Sequence, residues 1–283
     1  MAQSLELPLG KRTKKYRLFE MLPGILSLTV ISLLFILSWF NTALASMYLL
    51  LIILTALARA VVIATHTIRG YRNLMGAQKV DWRRRLIDLE NPVDSLAHEQ
   101  HHHSSQFGQA THLRNLRAIV ADPEHYPKPS QLRHAVIIAA YNESIEVIEP
   151  TIKALLATTM DSKQLIIAFA YEQRGGAGIK QTAKTLKERY GDQFGMFYTV
   201  EHPQDLADEV VGKGGNITYA GEFLARALKK KKINFDDVIV TTLDCDNRPH
   251  PVYFDYVSYE YIVHTNRQNL SYQPISLFLN NIW

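Results

Sequence analysis

Cysteine is almost absent from this chain of 283 residues, which contains only Cys245. A single cysteine excludes a disulfide bond within the chain and fits a reducing compartment. Two phosphate-binding patterns are missing as well. The Gly-x4-Gly-Lys-Ser/Thr loop of nucleoside triphosphatases does not occur, and no Gly-x-Gly-x-x-Gly follows the apolar run at 134–140, which argues against a dinucleotide-dependent oxidoreductase.

Charge is missing from residues 22–40, a run close to the ~20 residues that cross a bilayer as a helix. A second apolar run covers residues 43–65 and is interrupted only by Arg59. Neither run has the polar face of a buried helical hairpin, and the apolar sequence continues past Ala43-Leu44-Ala45, which argues against a cleaved secretory signal. The two runs predict a transmembrane helical hairpin, with Arg59 near enough to one end to reach the lipid headgroups.

Basic residues bracket this hairpin. The net charge of the chain is +4, and the flanking residues are Lys11, Arg12, Lys14, Lys15 and Arg17 before the hairpin and Arg69, Arg72, Arg83, Arg84 and Arg85 after it. Positive charge on both flanks predicts that both are cytoplasmic. We therefore expect a multi-pass protein of the inner or plasma membrane, with membrane lipids as partners and the following domain in the cytoplasm. The aromatic interleaving of a nucleic-acid surface is missing, so nucleic acid is not an expected partner.

Composition divides the chain into four predicted regions: a basic cytoplasmic N-terminus over 1–20, the transmembrane hairpin over 21–66, a juxtamembrane or interfacial linker over 67–130, and an α/β domain over 131–283. Within the linker, Trp82-Arg83-Arg84-Arg85 is typical of a segment that lies on anionic headgroups. The histidines at 98 and 101–103 lack the spacing of metal ligands, so we interpret this tract as solvated.

Short apolar runs alternate with helical periodicity after residue 130. The runs at 134–140, 165–170, 196–200 and 238–243 predict strands, and the segments 145–158, 175–190 and 212–232 predict helices. Repeated β-α units of this kind imply a mostly parallel sheet with helices on both faces. Ligands of such sheets bind at the carboxyl ends of the strands.

Two carboxylates follow the last of these strands. Asp244 and Asp246 are spaced i, i+2, so they leave an extended chain on the same side and form a natural seat for a hard divalent cation that carries phosphate oxygens. Cys245 stands between them, where we expect no gain in packing.

Other polar residues follow the strand ends: Asn142 and Glu143 after the first, Glu172 after the second, and 212–216 (Gly-Lys-Gly-Gly-Asn) at the start of the last predicted helix. A Gly-rich turn at a helix N-terminus offers free backbone N–H groups, and Lys213 adds positive charge for a phosphate. Each residue also has a structural alternative. Glu143 could be a helix N-terminal acid, Glu172 a surface charge, Lys213 a solvated side chain and Asn216 a helix cap.

Taken together, 139–143 (Ala-Ala-Tyr-Asn-Glu), 212–216 and 243–246 (Leu-Asp-Cys-Asp) make residues 134–283 resemble family 2 glycosyltransferases with the nucleotide-diphosphosugar (GT-A) fold. The hairpin ahead of this region is similar to that of membrane-embedded synthases of the cellulose and hyaluronan type. The resemblance implies three groups of site residues: Tyr141, Asn142, Glu143 and Glu172 on the nucleoside; Lys213, Gly214 and Asn216 on the diphosphate side; Asp244 and Asp246 on the sugar nucleotide and its Mg²⁺ or Mn²⁺.

The chain departs from the family pattern at several points. Ala139 stands where a proline is usual, and 171–176 (Tyr-Glu-Gln-Arg-Gly-Gly) replaces the common Asp-Asp-Gly-Ser. The family's catalytic base motif and its Gln-x-x-Arg-Trp are not found, and the sequence ends at Trp283, where the acceptor half should begin. We therefore expect a sequence truncated at its C-terminus, with a donor-binding half and an incomplete acceptor half.

The function implied by the resemblance is an inverting sugar transfer from a nucleotide-diphosphosugar, most simply a UDP-sugar, to a saccharide or lipid hydroxyl. Three alternatives stay open. A polyprenyl-phosphate sugar transferase shares the fold, although its membrane helices usually follow the domain. The chain could instead be a non-catalytic membrane scaffold with a degenerate domain. A nucleotidyltransferase would carry a Gly-rich basic loop after the first strand, where Tyr-Asn-Glu stands instead.

Overall fold

The computed structural model of the protein describes residues 13–101, 106–206 and 212–273. Parts of two predictions lie outside these residues: the basic segment 1–12 and the histidines at 102–103. The chain divides into two compact units, Met1–Gly76 and Ala77–Trp283.

The first unit contains two long helices, α1 (Lys14–Phe40) and α2 (Thr42–Ala77). Asn41 forms the whole connection: its backbone N–H closes α1 on Leu37, and its Oδ1 accepts hydrogen bonds from the N–H groups of Ala43 and Leu44 at 2.9 and 3.2 Å. A single asparagine therefore ends one helix and caps the next. This turn falls where the two apolar runs meet.

The apolar side chains of α1 and α2 are largely exposed, with Leu28 at 66% and Phe35 at 70%. Hydroxyl groups inside the helices are satisfied locally, since Ser27 donates to the Pro23 carbonyl at 2.9 Å and Thr55 donates to Leu51 at 2.7 Å. Both helices are long and apolar enough to cross a membrane. These properties indicate a membrane-associated protein.

The second unit contains a four-stranded sheet and seven α-helices among the residues that the structure describes. The helices before the sheet are α3 (Trp82–Glu90), α4 (Pro92–His101) and α5 (Gln109–Ala121). The strands are β1 (Arg133–Ala140), β2 (Leu165–Glu172), β3 (Met196–His202) and β4 (Val238–Asp244). The helices between and after the strands are α6 (Ile145–Leu156), α7 (Gly176–Tyr190), α8 (Lys213–Lys230) and α9 (Tyr253–Val263).

All strand pairs are parallel, and the order across the sheet is β3-β2-β1-β4. Alternate residues of β1 point to opposite faces: Val136 packs with α6 and α7, whereas Ile137 packs with α8. Both faces of the central strands are therefore covered, which explains why β1 and β2 read as continuous apolar runs. The prediction of an α/β domain with a parallel sheet is confirmed.

Strand β4 alternates instead. Ile239 and Thr241 are each 7% exposed, whereas Val240 is 59% exposed. This strand lies at the edge of the sheet formed by the described residues, with β1 as its neighbour.

The helices α3 and α5 belong to the core of the second unit. Trp82 and Leu86 of α3 join Leu116 of α5 and Val257 of α9 in one buried apolar cluster. The interpretation of the segment 82–85 as lying on lipid headgroups is therefore wrong for Trp82, which is 3% exposed, and for Arg85, which is 5% exposed.

The segment is basic, but its apolar residues have helical spacing and therefore lie together on the buried face of α3. The guanidinium of Arg85 lies 4.9 Å from the Trp82 ring centre and donates to the Phe107 carbonyl at 2.6 Å, so its burial is compensated. Within the segment 82–85, only Arg83 and Arg84 have exposed side chains, at 45% and 58%.

Candidate functional site

A cavity of about 440 Å³ lies at the carboxyl ends of β1, β2 and β4. Seven of the predicted site residues line it: Tyr141, Glu143, Glu172, Lys213, Asn216, Asp244 and Asp246. Asn142 and Gly214 do not line this cavity. Five further lining residues were not predicted as site residues: Ala139, Ala140, Val147, Arg174 and Cys245.

The strand register explains this convergence. Ala139 of β1 stands opposite Asp244 of β4, and Ala140 stands opposite Tyr171 of β2. Because the three strands are parallel and end at the same level, the residues that follow them meet at one edge. The helix α8 adds Lys213 at its first position and Asn216 in its first turn.

Asp244 and Asp246 are both exposed, whereas Cys245 between them is 6% exposed and belongs to the core cluster under α6 and α7. The expectation that this cysteine gains nothing in packing is therefore wrong. The prediction that the two aspartates leave an extended chain is wrong as well, because β4 ends at Asp244 and the N–H of Asn247 closes a turn on the Asp244 carbonyl at 3.0 Å, in which Cys245 points inward. Burial, followed by the charges of Glu143 and Asp246, raises the pKa of the Cys245 thiol to about 12.

Lys213 forms an ion pair with Asp244, through its Nζ and the carboxylate Oδ1. Both side chains are about half exposed, at 51% and 50%, so water screens the pair and its contribution to stability is small. Its relevance is positional. The cation that begins α8 and the first of the two carboxylates lie at the same point of the cavity.

Glu143 contacts groups of the protein itself. Its Oε2 accepts a hydrogen bond from the backbone N–H of Tyr141 at 2.7 Å, and its charge contributes to the raised pKa of the Cys245 thiol. Glu143 and Cys245 line the same cavity. Whether Glu143 also contacts a nucleoside stays a prediction.

Glu172 and Arg174 form a second charged pair in the cavity. Glu172 is 5% exposed, so the alternative of a surface charge is wrong, and its Oε2 accepts from Arg174 Nε. This hydrogen bond raises the pKa of Arg174. The guanidinium also lies 5.0 Å from the ring centre of Tyr141, which makes a cation–π contact.

Gly175 makes this arrangement possible, because a side chain at this position would collide with the carbonyl of Tyr141. The turn after β2 can therefore pack directly against the end of β1. Sequence reasoning missed Arg174, although a basic residue two positions after a strand-end acid was a usable signal.

Asn216 is a structural link between α8 and the sheet. Its Nδ2 donates to the carbonyls of Ala140 and Ala170, at 3.3 and 3.2 Å, and the side chain is 1% exposed. Because both partners are acceptors, the amide orientation is determined, and Oδ1 has no hydrogen-bond partner among the described residues. Gly212, not Asn216, occupies the cap position of α8, so the interpretation of Asn216 as a helix cap is wrong.

A second cavity, of about 730 Å³, runs along β4 and has Asp244 in its wall as well. Its lining also includes Arg267, Tyr272 and Gln273. The two cavities therefore share Asp244.

The carboxylates of Asp244 and Asp246 suit a hard cation. Mg²⁺ is commonly held by one or two carboxylates together with substrate phosphates and water, and two outward carboxylates beside Lys213 provide that kind of donor set. Within 13–101, 106–206 and 212–273, no group of three or more His, Cys, Asp or Glu residues could hold a metal without such additional ligands. No protein-family model matches the chain, and a search of curated proteins found no match either.

Proposed function

We propose that the protein is a membrane-bound glycosyltransferase of the GT-A fold, which moves a sugar from a nucleotide-diphosphate donor to an acceptor hydroxyl with inversion. One observation carries the proposal. Two outward carboxylates, a lysine and a helix N-terminus meet at the carboxyl end of a parallel sheet, in one cavity. This combination suits a diphosphate with its counter-ion. The lysine and the helix N-terminus supply positive charge, and the two carboxylates can bind the metal cation.

Different residues would bind the diphosphate, the metal ion and the nucleoside of the donor. Lys213 and the free N–H groups of the first turn of α8 would bind the diphosphate, for which Lys213 must share or release Asp244. Asp244 and Asp246 would hold Mg²⁺ or Mn²⁺, which supplies positive charge against the departing diphosphate. The exposed Tyr141 ring with Arg174 over it offers a flat surface beside Glu172 for the nucleoside.

The acceptor would bind in the cavity along β4. The cavity along β4 reaches Asp244 and leaves room beside the carboxylates for a saccharide or a lipid-linked hydroxyl. The transfer also needs a general base that removes the proton of the acceptor hydroxyl.

The hairpin of α1 and α2 supports a location in the inner or plasma membrane, and its basic flanks support a cytoplasmic catalytic domain. A donor made in the cytoplasm would then reach the cavity directly. Membrane lipids would be partners of the hairpin.

Calorimetric titration of the full chain in detergent with UDP, with and without Mn²⁺, tests the proposal. We expect Mn²⁺-dependent binding that Asp246→Ala abolishes and Asp122→Ala leaves unchanged, since Asp122 is an exposed acid outside the cavity. Binding that is independent of Mn²⁺, or equally strong in Asp246→Ala, would contradict the assignment. A thermal melt of each variant checks that it is folded.

A further inference from the structure

The segment after β4 carries Asp246 and leads through residues 247–252 into α9. Its first residue, Cys245, is anchored against α6. The hydroxyl of Thr151, in α6, donates to the Cys245 carbonyl at 2.8 Å, and the Cys245 side chain is buried in the core cluster that contains Ile148 and Ile152 of the same helix. Thr151 is 0% exposed, so water cannot replace its hydroxyl at this carbonyl without opening the core.

The far end of the segment is anchored by Thr159, just after α6. Its backbone N–H donates to the Pro251 carbonyl at 2.9 Å, and its hydroxyl lies 3.1 Å from the same oxygen. The hydroxyl also bonds the carboxylate of Asp255, which is 0% exposed and faces Arg83 Nη1 at 3.7 Å. Thr151 in α6 and Thr159 just after it therefore hold the two ends of the segment that carries Asp246.

We propose that Thr151 and Thr159 are positioning residues, which hold the segment 245–252 so that the carboxylates of Asp244 and Asp246 face the cavity together. The effect that we expect these threonines to have on binding rests on the proposed function. Groups that orient metal ligands through hydrogen bonds change metal affinity by about 10–100-fold when they are removed. Neither threonine lines the cavity, so neither is expected to touch the donor.

Thr151→Val tests the first anchor, because valine keeps the shape of threonine and removes the hydroxyl. We expect it to weaken Mn²⁺-dependent UDP binding by about tenfold or more, and we expect Thr151→Ser to restore it. Thr158→Val is the matched control. Thr158 is also buried next to α6 and its hydroxyl donates to the Leu155 carbonyl at 2.8 Å, away from the segment.

The reactivity of Cys245 with a maleimide gives a second measurement that needs no nucleotide. As Cys245 is the one cysteine in the sequence, its labelling rate in the folded chain reports opening of the segment. We expect Thr151→Val to label faster than wild type and Thr158→Val to label at the wild-type rate. If Thr151→Val does not fold, Thr159→Val serves in its place, because Thr159 is exposed and keeps its backbone bond to Pro251.

The outcomes separate the inference from the proposed function. Wild-type binding together with unchanged binding and labelling in Thr151→Val would overturn the inference and leave the proposed function intact. Absence of wild-type binding with faster labelling in Thr151→Val would overturn the proposed function and keep the anchoring role. Equal losses of binding in Thr151→Val and Thr158→Val would reduce the role of Thr151 to general stability and overturn the inference.

Discussion

Cys245 lies in the turn after β4, between the two aspartates of the candidate site. The thiol is buried in the core below α6 and α7, while the carboxylates on either side are exposed. Reactivity of a cysteine depends on its thiolate, and burial with two nearby carboxylates raises the pKa of this thiol to about 12. Cys245 should therefore be inert although it stands between two polar residues.

We expect iodoacetamide at pH 8 to modify Cys245 in the folded chain at least about tenfold more slowly than an ordinary exposed thiol of pKa ~8.5. The measurement is the time course of mass increase in the intact protein. The same chain unfolded in guanidinium is the control and should react at the rate of a free thiol. Equal rates in the two states would contradict the burial of this residue.

Glu149 of α6 is a second residue with a measurable electrostatic role, at a distance from the proposed site. Its carboxylate accepts hydrogen bonds from Tyr190 at 2.7 Å and from Lys153 and Arg189 at 3.1 Å each. These contacts, with Tyr190 the largest, lower the pKa of Glu149 from its usual 4.5 to about 2. A depressed carboxyl pKa means that the folded state holds the proton less tightly than the unfolded chain does.

The stability that Glu149 contributes should therefore be fully present above pH 4.5 and should be lost as the pH falls towards 2. We expect Glu149→Gln to melt at a lower temperature than wild type at pH 6, and this difference should shrink at pH 2.5. Thermal melts of both proteins at the two pH values measure it. A constant difference would show that the charge of Glu149 is not involved.

Helix α3 shows at the scale of one element how packing can override an apparent lipid-binding pattern. The indole of Trp82 is buried against α9, with ring centres 4.5 Å from Tyr256 and 5.3 Å from Tyr259, and its Nε1 donates to the Ala77 carbonyl at 2.8 Å. Arg84 on the same helix is exposed and pairs with Asp88 at 3.3 Å.

We expect Trp82→Ala to lower the free energy of unfolding by about 3–5 kcal/mol, because it leaves a cavity in the core. Arg84→Lys should change it by about 1 kcal/mol or less, because the Arg84 side chain is 58% exposed and lysine keeps a positive charge beside the buried Asp88 carboxylate. Denaturant titration of both variants measures the contrast. Similar small effects of the two substitutions would support the interfacial interpretation instead.

The elements that the sequence predicts well are those whose signal is local. The strands β1 and β2 are continuous apolar runs, β4 begins with one at 238–240, and the hairpin is defined by missing charge, so each is readable without its neighbours. Helix α3 was misread because its three arginines outweighed the helical spacing of its apolar residues. Whether a segment lies on lipid or on protein depends on a partner such as α9, which is about 170 residues away in the sequence.

The same distinction between local signals and contacts between elements applies to the candidate site. Tyr141, Lys213 and Asp244 stand at predicted strand or helix ends, and parallel pairing is sufficient to bring them together. The roles of Arg174 and Thr151 depend on contacts between elements, which a strand or helix pattern does not contain. Sequence reasoning therefore located the edge of the sheet at which the cavity lies, but not the side chains that hold its lining in place.

For the whole molecule, the hairpin makes a prediction about topology. Both basic flanks are expected in the cytoplasm, so the connection at Asn41 and Thr42 should face the other side of the membrane. Because Cys245 is the one cysteine in the sequence, Cys245→Ser provides a cysteine-free background.

In that background, Thr42→Cys should react with a membrane-impermeant maleimide added to intact cells, whereas Lys79→Cys should react only after the cells are opened. Mass spectrometry or gel shift of the labelled chain measures both. Labelling of the two positions under the same conditions would rule out a hairpin that crosses the membrane twice.

The alternation of β4 also has a consequence for how reliably the chain finds its fold. A shift of β4 by one residue against β1 would exchange its two faces, so that Asp244 would turn into the core. An ionised carboxylate moved into apolar surroundings costs on the order of several kcal/mol, which makes the shifted pairing far less stable than the native one. The Asp244 carboxylate therefore disfavours a misaligned β4, whereas the other outward residues of this strand, Val240 and Thr242, would oppose such a shift much less.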